Sequence, residues 1–189
     1  IRLQSILPIL EELKGKPFYV TVKCDGTSGT FLRKEDGITV CSRNWALRDG
    51  NNHHWNLARK HDLLGKLRIW FCIQGEVCGP GIQKNMLGLS DHELFVFSVL
   101  DMNTGRFLGY DEMVFFCHTR GLKTVPYDFE VDETELPNFP FTLENFLELA
   151  KGDYAGTKNR REGIVVRPMI DCASTTLNGD RFSFKVINN

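Results

Sequence analysis

The sequence predicts an α+β fold with antiparallel sheets and flanking helices. Short segments rich in β-branched and aromatic residues follow one another, and turn signals such as Asp25-Gly26 and Asp36-Gly37 separate them. Helical patterns are interspersed without the regular alternation that builds a parallel sheet. The chain of 189 residues has the size of one domain. We expect residues 1–189 to form a single domain excised from a longer protein, because the chain begins without Met and ends directly after a strand.

Apolar spacing places the elements in order. Helical spacing predicts helices over residues 3–13, 52–64, 111–120 and 142–151, with Asp111 and Thr142 as caps of the last two. Alternating or continuous apolar runs predict strands over residues 18–24, 29–33, 38–42, 69–78, 94–100, 163–167 and 181–187. The almost wholly apolar run 94–100 indicates a strand that is buried on both faces.

Composition argues against a membrane-spanning protein and against a zinc site. A hydrophobic content of 42% and a net charge of −1 are typical of an ordinary globular protein, and no apolar stretch approaches membrane-spanning length. The six cysteines contain no Cys-x-x-Cys pair, which argues against a zinc site, and their place in apolar strands suits reduced thiols in an intracellular compartment. His53, His54 and His61 lie on a polar helical segment, so we interpret them as solvated side chains rather than metal ligands.

The run Lys23-Cys24-Asp25-Gly26 is the first that suggests chemistry. It follows the alternating segment 18–22 and places an amine at the end of a strand. An amine attacks electrophiles only when it is deprotonated. Lowering its pKa from about 10.4 to about 7–8 requires surroundings that destabilise the ammonium form by about 4 kcal/mol. Loss of water and a neighbouring cation both destabilise that form. Asp-Gly is also a strong hairpin signal, so this run alone leaves a plain β-turn open.

Five further segments follow in a fixed order. They are Ser42-Arg43-Asn44, Gln74-Gly75-Glu76-Val77-Cys78-Gly79-Pro80-Gly81, Leu94-Phe95-Val96-Phe97-Ser98-Val99, Glu162-Gly163-Ile164-Val165-Val166-Arg167-Pro168 and Ser183-Phe184-Lys185-Val186. In this order the motifs resemble those of the covalent nucleotidyltransferase superfamily of ligases and mRNA capping enzymes. Thr27-Ser28 and the run from Glu76 to Gln83 are most similar to ATP-dependent RNA ligases that seal nicks. The resemblance spans nearly the whole chain and implies a nucleotidyltransferase domain of the ligase and capping-enzyme type.

The resemblance implies a covalent mechanism. Lys23 would attack the α-phosphate of ATP, form a phosphoramide with AMP and expel pyrophosphate. Lys185 would be a second cation that lowers the pKa of Lys23 and holds the α-phosphate. Asp25, Glu76 and Glu162 are three carboxylates from separate segments, which suits a hydrated Mg²⁺ or Mn²⁺. The family pattern implies that these carboxylates contact the waters of the metal rather than the ion itself.

The nucleoside of ATP has its own expected partners. By the same resemblance, Arg43 and Glu76 contact the ribose and Phe97 stacks on the adenine. Stacking of a base on an aromatic ring contributes about 1–3 kcal/mol and tolerates different bases. Gln4 is expected near the adenine and Arg2 near the leaving phosphates.

The implied partner is RNA with 3′-hydroxyl and 5′-phosphate ends, held by a monomeric enzyme as a nicked duplex. AMP would pass from Lys23 to the 5′-phosphate, and the 3′-hydroxyl would then displace it. Three alternatives stay open: an mRNA capping guanylyltransferase that uses GTP, a DNA ligase, and a catalytically silent domain that binds RNA ends. The Gly-Pro-Gly-Ile-Gln context favours a ligase over a capping enzyme, and carboxylates gathered around a lysine argue against the silent domain.

Two positions depart from the family pattern. RNA ligases often carry a second lysine two residues after the position of Lys185, where this chain has Ile187. Arg167 or a residue beyond position 189 would then take its place. Ser98 replaces an aspartate that often follows the stacking aromatic, and we derive no consequence from this change.

Overall fold

The computed structural model describes residues 3–188, with side chains from Ile6 onward, and the described chain forms two compact units. The terminal unit contains the described residues up to Lys23 and those from Pro126 on. The inserted unit contains residues Cys24–Val125. Both units combine antiparallel strands with helices, so the predicted α+β class is confirmed.

The elements follow in this chain order. The helices are α1 (Leu3–Leu13), α2 (His53–Lys60), α3 (Leu63–Lys66), α4 (Tyr110–His118) and α5 (Leu143–Ala150), with a short 3₁₀ turn at Leu136–Asn138. The strands are β1 (Phe18–Val22), β2 (Thr27–Lys34), β3 (Gly37–Cys41), β4 (Phe71–Cys78), β5 (Glu93–Asp101), β6 (Arg106–Phe107), β7 (Lys123–Thr124), β8 (Tyr127–Val131), β9 (Gly163–Pro168) and β10 (Phe184–Ile187). Of the helices in this described part, none is long and apolar enough to cross a membrane.

The terminal unit is built on a four-stranded antiparallel sheet with the order β10-β9-β1-β8. Its core lies on one face of this sheet, where the side chains of the strands pack against α1 and α5: Leu10, Leu13, Phe18, Val20, Phe146, Ile164, Val166, Phe184 and Val186. Side chains alternate between the faces of a strand. Tyr19, Thr21 and the residue just beyond β1, Lys23, therefore belong to the opposite face.

The inserted unit is built on a second sheet, with the order β3-β2-β4-β5-β6 and with β7 parallel to β5. One face packs against α2, α3 and α4 through a cluster that includes Phe31, Leu57, Leu63, Ile73, Val96, Met113 and Phe116. Phe95 and Phe97 belong to a smaller cluster with Cys24, Cys78 and Val125. The strand β5 is thus buried on the face of the larger core, whereas Phe95 and Phe97 on its other face are only partly buried, so the predicted burial on both faces is incomplete.

Asp25-Gly26 does not make a hairpin turn. β1 pairs with β8 and β9, whereas β2 pairs with β3 and β4, so this dipeptide links two different sheets. A Cβ atom at Gly26 would lie 2.5 Å from the carbonyl oxygen of Val77 and 2.7 Å from Sγ of Cys78. The glycine is needed because the backbone passes close to β4, and the plain-turn interpretation was wrong.

Three local predictions need correction. The predicted helix 52–64 is two helices, because Asp62 adopts a left-handed conformation with φ of 48° and caps α3. The cap of α4 is Gly109 rather than Asp111; its N–H donates to the carboxylate of Glu112 at 2.9 Å. Strand β8 was not predicted, because its acidic residues lie on an edge strand, where charges are tolerated. Thr142 does cap α5, accepting from the N–H of Asn145 at 3.2 Å.

The interpretation of the histidines was also wrong at two of three positions. His54 is buried, and its Nε2 lies 3.1 Å from the carbonyl oxygen of Ser28, because α2 packs this side onto the sheet. Nε2 of His61 lies 2.6 Å from the carboxylate of Glu93. His53 is exposed, and its ring packs against that of His92 with the centroids 4.3 Å apart. All three side chains are explained by packing.

Candidate active site

Lys23 and Glu162 form an ion pair in the terminal unit, although they are 139 residues apart in the sequence. The backbone N–H of Lys23 donates to the carbonyl oxygen of Gly163 at 3.0 Å. The register sets Val22 opposite Ile164, so Lys23 meets Gly163, the neighbour of Glu162. Sheet pairing therefore brings a predicted nucleophile and a predicted carboxylate together.

Lys185 lies on the same sheet face as Lys23. The register sets Lys185 opposite Val165 on β9 and Val165 opposite Thr21 on β1, and Lys23 is two residues beyond Thr21. Neighbouring strands are about 4.8 Å apart, so β10 is about 10 Å from β1. Both lysines lie on the face away from the apolar core, offset by two residues, or about 7 Å, along the strands, and two long side chains at this separation are able to reach one anion.

Tyr154 touches the backbone of both members of the ion pair. Its side chain is buried, at 4% relative exposure. The hydroxyl donates to the carbonyl oxygen of Lys23 at 2.7 Å and accepts from the N–H of Glu162 at 3.3 Å. No sequence pattern marks this residue, because a single tyrosine in a polar loop carries no periodic signal.

Glu76 and Phe97 share a face of the sheet in the inserted unit. Glu76 lies opposite Ser28 on β2 and opposite Phe95 on β5. The register between β4 and β5 shifts between Gln74, opposite Ser98, and Gly75, opposite Val96, so Phe97 is the extra residue of a β-bulge. A bulge redirects a side chain, and bulges are frequent next to active sites. Phe95 and Phe97, two residues apart, lie on the face away from the larger core, and the bulge lets both Val96 and Val99 face that core.

Arg43 is exposed in the turn that follows β3. The N–H of Ser42 donates to the carbonyl oxygen of Trp45 at 2.9 Å and closes this turn. The last pair between β2 and β3 is Thr30 with Cys41. The ladder ends before Arg43, which follows in an exposed turn of the inserted unit, the unit that also contains Glu76 and Phe97.

Asp25 is buried at 6% relative exposure, and its Oδ2 accepts from the backbone N–H of Met86 at 3.0 Å. This carboxylate thus holds the loop between β4 and β5, a role that the sequence did not reveal.

Among residues 6–188 no group of three or more His, Cys, Asp or Glu side chains is arranged to hold a metal ion. Arg2 lies outside the described residues, and so does the side chain of Gln4.

The pKa values of two cysteines on β4, Cys72 and Cys78, are raised. The hydrogen bond to Cys24, then burial, and then the nearby carboxylates of Glu76 and Asp25 raise the pKa of Cys78 well above its ordinary value. Burial raises the pKa of Cys72 to about 11. A thiol attacks as its thiolate, so neither cysteine competes with a lysine as nucleophile at neutral pH. All six cysteines lie in the described part, and none of them forms a disulfide bond.

Comparison with known proteins agrees with this geometry. A family model described as RNA ligase matches residues 16–187. A Naegleria gruberi RNA ligase variant solved with ATP and Mn has a TM-score of 0.84 and 33% identity, and the match covers 100% of this chain and 54% of that one. The same ligase with PPi has a TM-score of 0.83 and 34% identity, again over 100% and 54%.

A third structure, a variant of that ligase with AMP and Mn, has a TM-score of 0.83 and 33% identity over 100% of this chain and 54% of the other. This chain thus spans about half the length of these ligases. No protein with a curated description matches. The family match covers most of the sequence, and the chain therefore belongs to the RNA ligase family, with the α+β nucleotidyltransferase fold of these ligases.

Proposed function

We propose that this chain is the adenylyltransferase domain of an ATP-dependent RNA ligase and that Lys23 carries the AMP. The observation that carries the proposal is the ion pair between Lys23 and Glu162 on the sheet face that also holds Lys185. Family membership and the similarity to a ligase solved with ATP and with AMP support it.

The first step is attack on ATP. The amine of Lys23 must lose a proton, and the carboxylate of Glu162, which accepts a hydrogen bond from that amine, is placed to take it. The lysine nitrogen then bonds to the α-phosphorus, the bond from that phosphorus to the bridging oxygen breaks, and pyrophosphate leaves. Such a transfer depends on positioning and on charge neutralisation. Lys185 supplies a positive charge for the phosphate oxygens.

The nucleoside binds through the inserted unit. Phe97, directed by its bulge, stacks on the adenine, while Arg43 and Glu76 bind the ribose. Asp25, Glu76 and Glu162 are assigned to the waters of Mg²⁺ or Mn²⁺, which neutralises phosphate charge when bound. The donor set fits such an ion, because carboxylate oxygens are the ligands that these hard cations prefer. The bond from Met86 to Oδ2 leaves Asp25 with a second carboxylate oxygen for this contact.

The later steps concern RNA. AMP passes from Lys23 to a 5′-phosphate, and a 3′-hydroxyl then displaces AMP and seals a nicked duplex; the enzyme acts as a monomer. The family match supports RNA as the substrate. Because the matched ligases are about twice as long as this chain, sealing is tested with the full-length protein.

Intact-mass spectrometry tests the first step. The protein is incubated with Mg²⁺ or Mn²⁺ and with ATP or GTP in turn, and we expect one added AMP from ATP alone. Lys23→Ala abolishes the added mass, whereas Lys14→Ala, at an exposed lysine that pairs with Glu11, does not. Labelling by GTP would instead indicate a capping guanylyltransferase. Folded protein that binds RNA ends but takes up no nucleotide would overturn the proposal.

A further inference from the structure

We infer that Tyr154 is a positioning residue for lysine adenylylation, an inference that rests on the proposed function. One hydroxyl bridges two backbone groups that are distant in sequence. It donates to the carbonyl oxygen of Lys23, 131 residues away, and accepts from the N–H of Glu162. It therefore ties together the residue that supplies the nucleophile and the residue whose carboxylate holds that nucleophile.

The Tyr154 hydroxyl makes these contacts where the ladder between β1 and β9 ends. In a regular antiparallel ladder, the two residues of a hydrogen-bonded pair exchange both bonds. Lys23 gives its N–H to Gly163, but its carbonyl accepts from Tyr154. Gly163 has a φ of 141°, and a Cβ atom there would lie 2.0 Å from the carbonyl oxygen of Val186. The tyrosine thus supplies a backbone contact at the point where the strand geometry departs from a regular ladder.

The loop before β9 holds the tyrosine in place. The N–H of Tyr154 donates to the carbonyl oxygen of Asn159 at 2.9 Å, and its own carbonyl accepts from the N–H of Thr157 at 3.0 Å and from the Thr157 hydroxyl at 2.9 Å. A buried tyrosine requires partners for its hydroxyl, and here those partners are the backbones of Lys23 and Glu162. The loop therefore directs the hydroxyl at the backbones of the two residues that form the ion pair.

The consequence is orientation of the attacking amine. In-line attack needs the amine nitrogen within about 3–3.5 Å of the phosphorus, and a misplacement of about 1 Å costs up to about 100-fold in rate. Without the hydroxyl, the backbones of Lys23 and Glu162 are no longer tied and their ion pair loosens. The Glu162 carboxylate then holds the amine less firmly. The amine is also positioned less accurately for attack on ATP.

Tyr154→Phe tests this inference, because it removes the hydroxyl and keeps the ring. We expect the single-turnover rate of adenylylation at saturating ATP to fall about 10-fold or more, with the half-saturating ATP concentration unchanged within about two-fold. Tyr127→Phe, at an exposed tyrosine of the same unit, keeps the wild-type rate. Tyr154→Met, whose flexible side chain adapts to the space left, is a second variant without the hydroxyl in case Tyr154→Phe does not fold.

A second measurement needs no ATP. Acetic anhydride acylates neutral amines, and mass spectrometry of peptides gives the reactivity of Lys23 relative to Lys14. We expect Tyr154→Phe to raise this ratio about three-fold or more, because an amine that its carboxylate no longer holds is more accessible to the reagent. A purely structural role would change the acylation of both lysines alike.

Faster acylation of Lys23 together with slower adenylylation supports a positioning role for Tyr154. An unchanged acylation ratio or an unchanged adenylylation rate overturns it. If wild type takes up no AMP, the proposed function fails while the acylation ratio still decides whether Tyr154 holds the pair.

Discussion

The backbone N–H of Met86 donates to Oδ2 of Asp25 at 3.0 Å, although the two residues are 61 positions apart. Asp25 therefore has two separable roles: it holds a loop of the inserted unit, and by our proposal it contacts the waters of a metal ion. A buried donor that loses its acceptor costs about 1–3 kcal/mol.

Two substitutions separate these roles. Asp25→Ala is expected to lower the free energy of unfolding by about 1–3 kcal/mol, measured by urea denaturation without metal or nucleotide. Asp25→Asn keeps an oxygen acceptor, so it is expected to retain most of the stability while losing adenylylation. Asp36→Ala, at the exposed Asp-Gly turn between β2 and β3, is the matched control and stays within about 0.5 kcal/mol of wild type. Wild-type stability of Asp25→Ala would show that the loop is held by other contacts.

Gly26→Ala is expected to be destabilising by about 1–3 kcal/mol, because the added methyl group would lie 2.5 Å from the carbonyl oxygen of Val77 and force β2 and β4 apart. Gly50→Ala serves as the control, since its nearest contact would be 3.9 Å away. Thermal unfolding of the two variants is the measurement. Equal melting temperatures would mean that the backbone at Gly26 relaxes without cost.

Phe97→Ala is expected to raise the half-saturating ATP concentration for adenylylation about 5- to 150-fold, which corresponds to the loss of about 1–3 kcal/mol of base stacking. Phe115→Ala, at a phenylalanine that is 70% exposed on α4, is expected to leave it unchanged. Titration of the labelling rate with ATP gives both values. A Phe97→Ala enzyme with unaltered ATP dependence would remove Phe97 from the nucleotide site.

Glu12 gives a pH-dependent prediction for stability. Partial burial raises the pKa of Glu12, but hydrogen bonds from Thr176, Ser174 and Thr175 outweigh it and lower the pKa from 4.5 to about 2. A depressed carboxyl pKa stabilises the fold above the unfolded value, and this stabilisation is lost as the pH falls from about 4.5 to about 2.

Glu12→Gln is therefore expected to lower the free energy of unfolding by about 1 kcal/mol at pH 7, because solvent screens this half-exposed carboxylate, and to have little effect near pH 2. Glu11→Gln, next in sequence and exposed, is the control and stays within about 0.5 kcal/mol of wild type at pH 7. Denaturant melts at several pH values measure the difference. Parallel stability curves for wild type and Glu12→Gln would contradict the assignment.

Much of the candidate site was predictable because its residues occur in motifs. Lys23 at a strand end, Glu76 within an apolar strand and Glu162 before another strand each have a local pattern. Their order along the chain indicated the family that the family match then showed. The convergence of Lys23 with Glu162, and of Glu76 with Phe97, then follows from antiparallel pairing.

Other features could not be predicted from the neighbouring residues in the sequence. Asp25-Gly26 has the composition of a hairpin turn, and only the pairing of β1 and β2 with different partners shows that it joins two sheets. The bulge at Phe97 depends on the register between β4 and β5. Tyr154 contacts Lys23 across 131 residues, and nothing in its neighbours marks it.

The sequence by itself determined the fold class, the family and the chemical types at the site, because turn residues, apolar periodicity and motif order act over a few neighbouring positions. The tertiary structure alone decided which strands pair, which sheet face each lysine occupies and which hydroxyl ties Lys23 to Glu162. These are hydrogen bonds between distant segments, and their energies depend on the register of whole sheets rather than on any short stretch of residues.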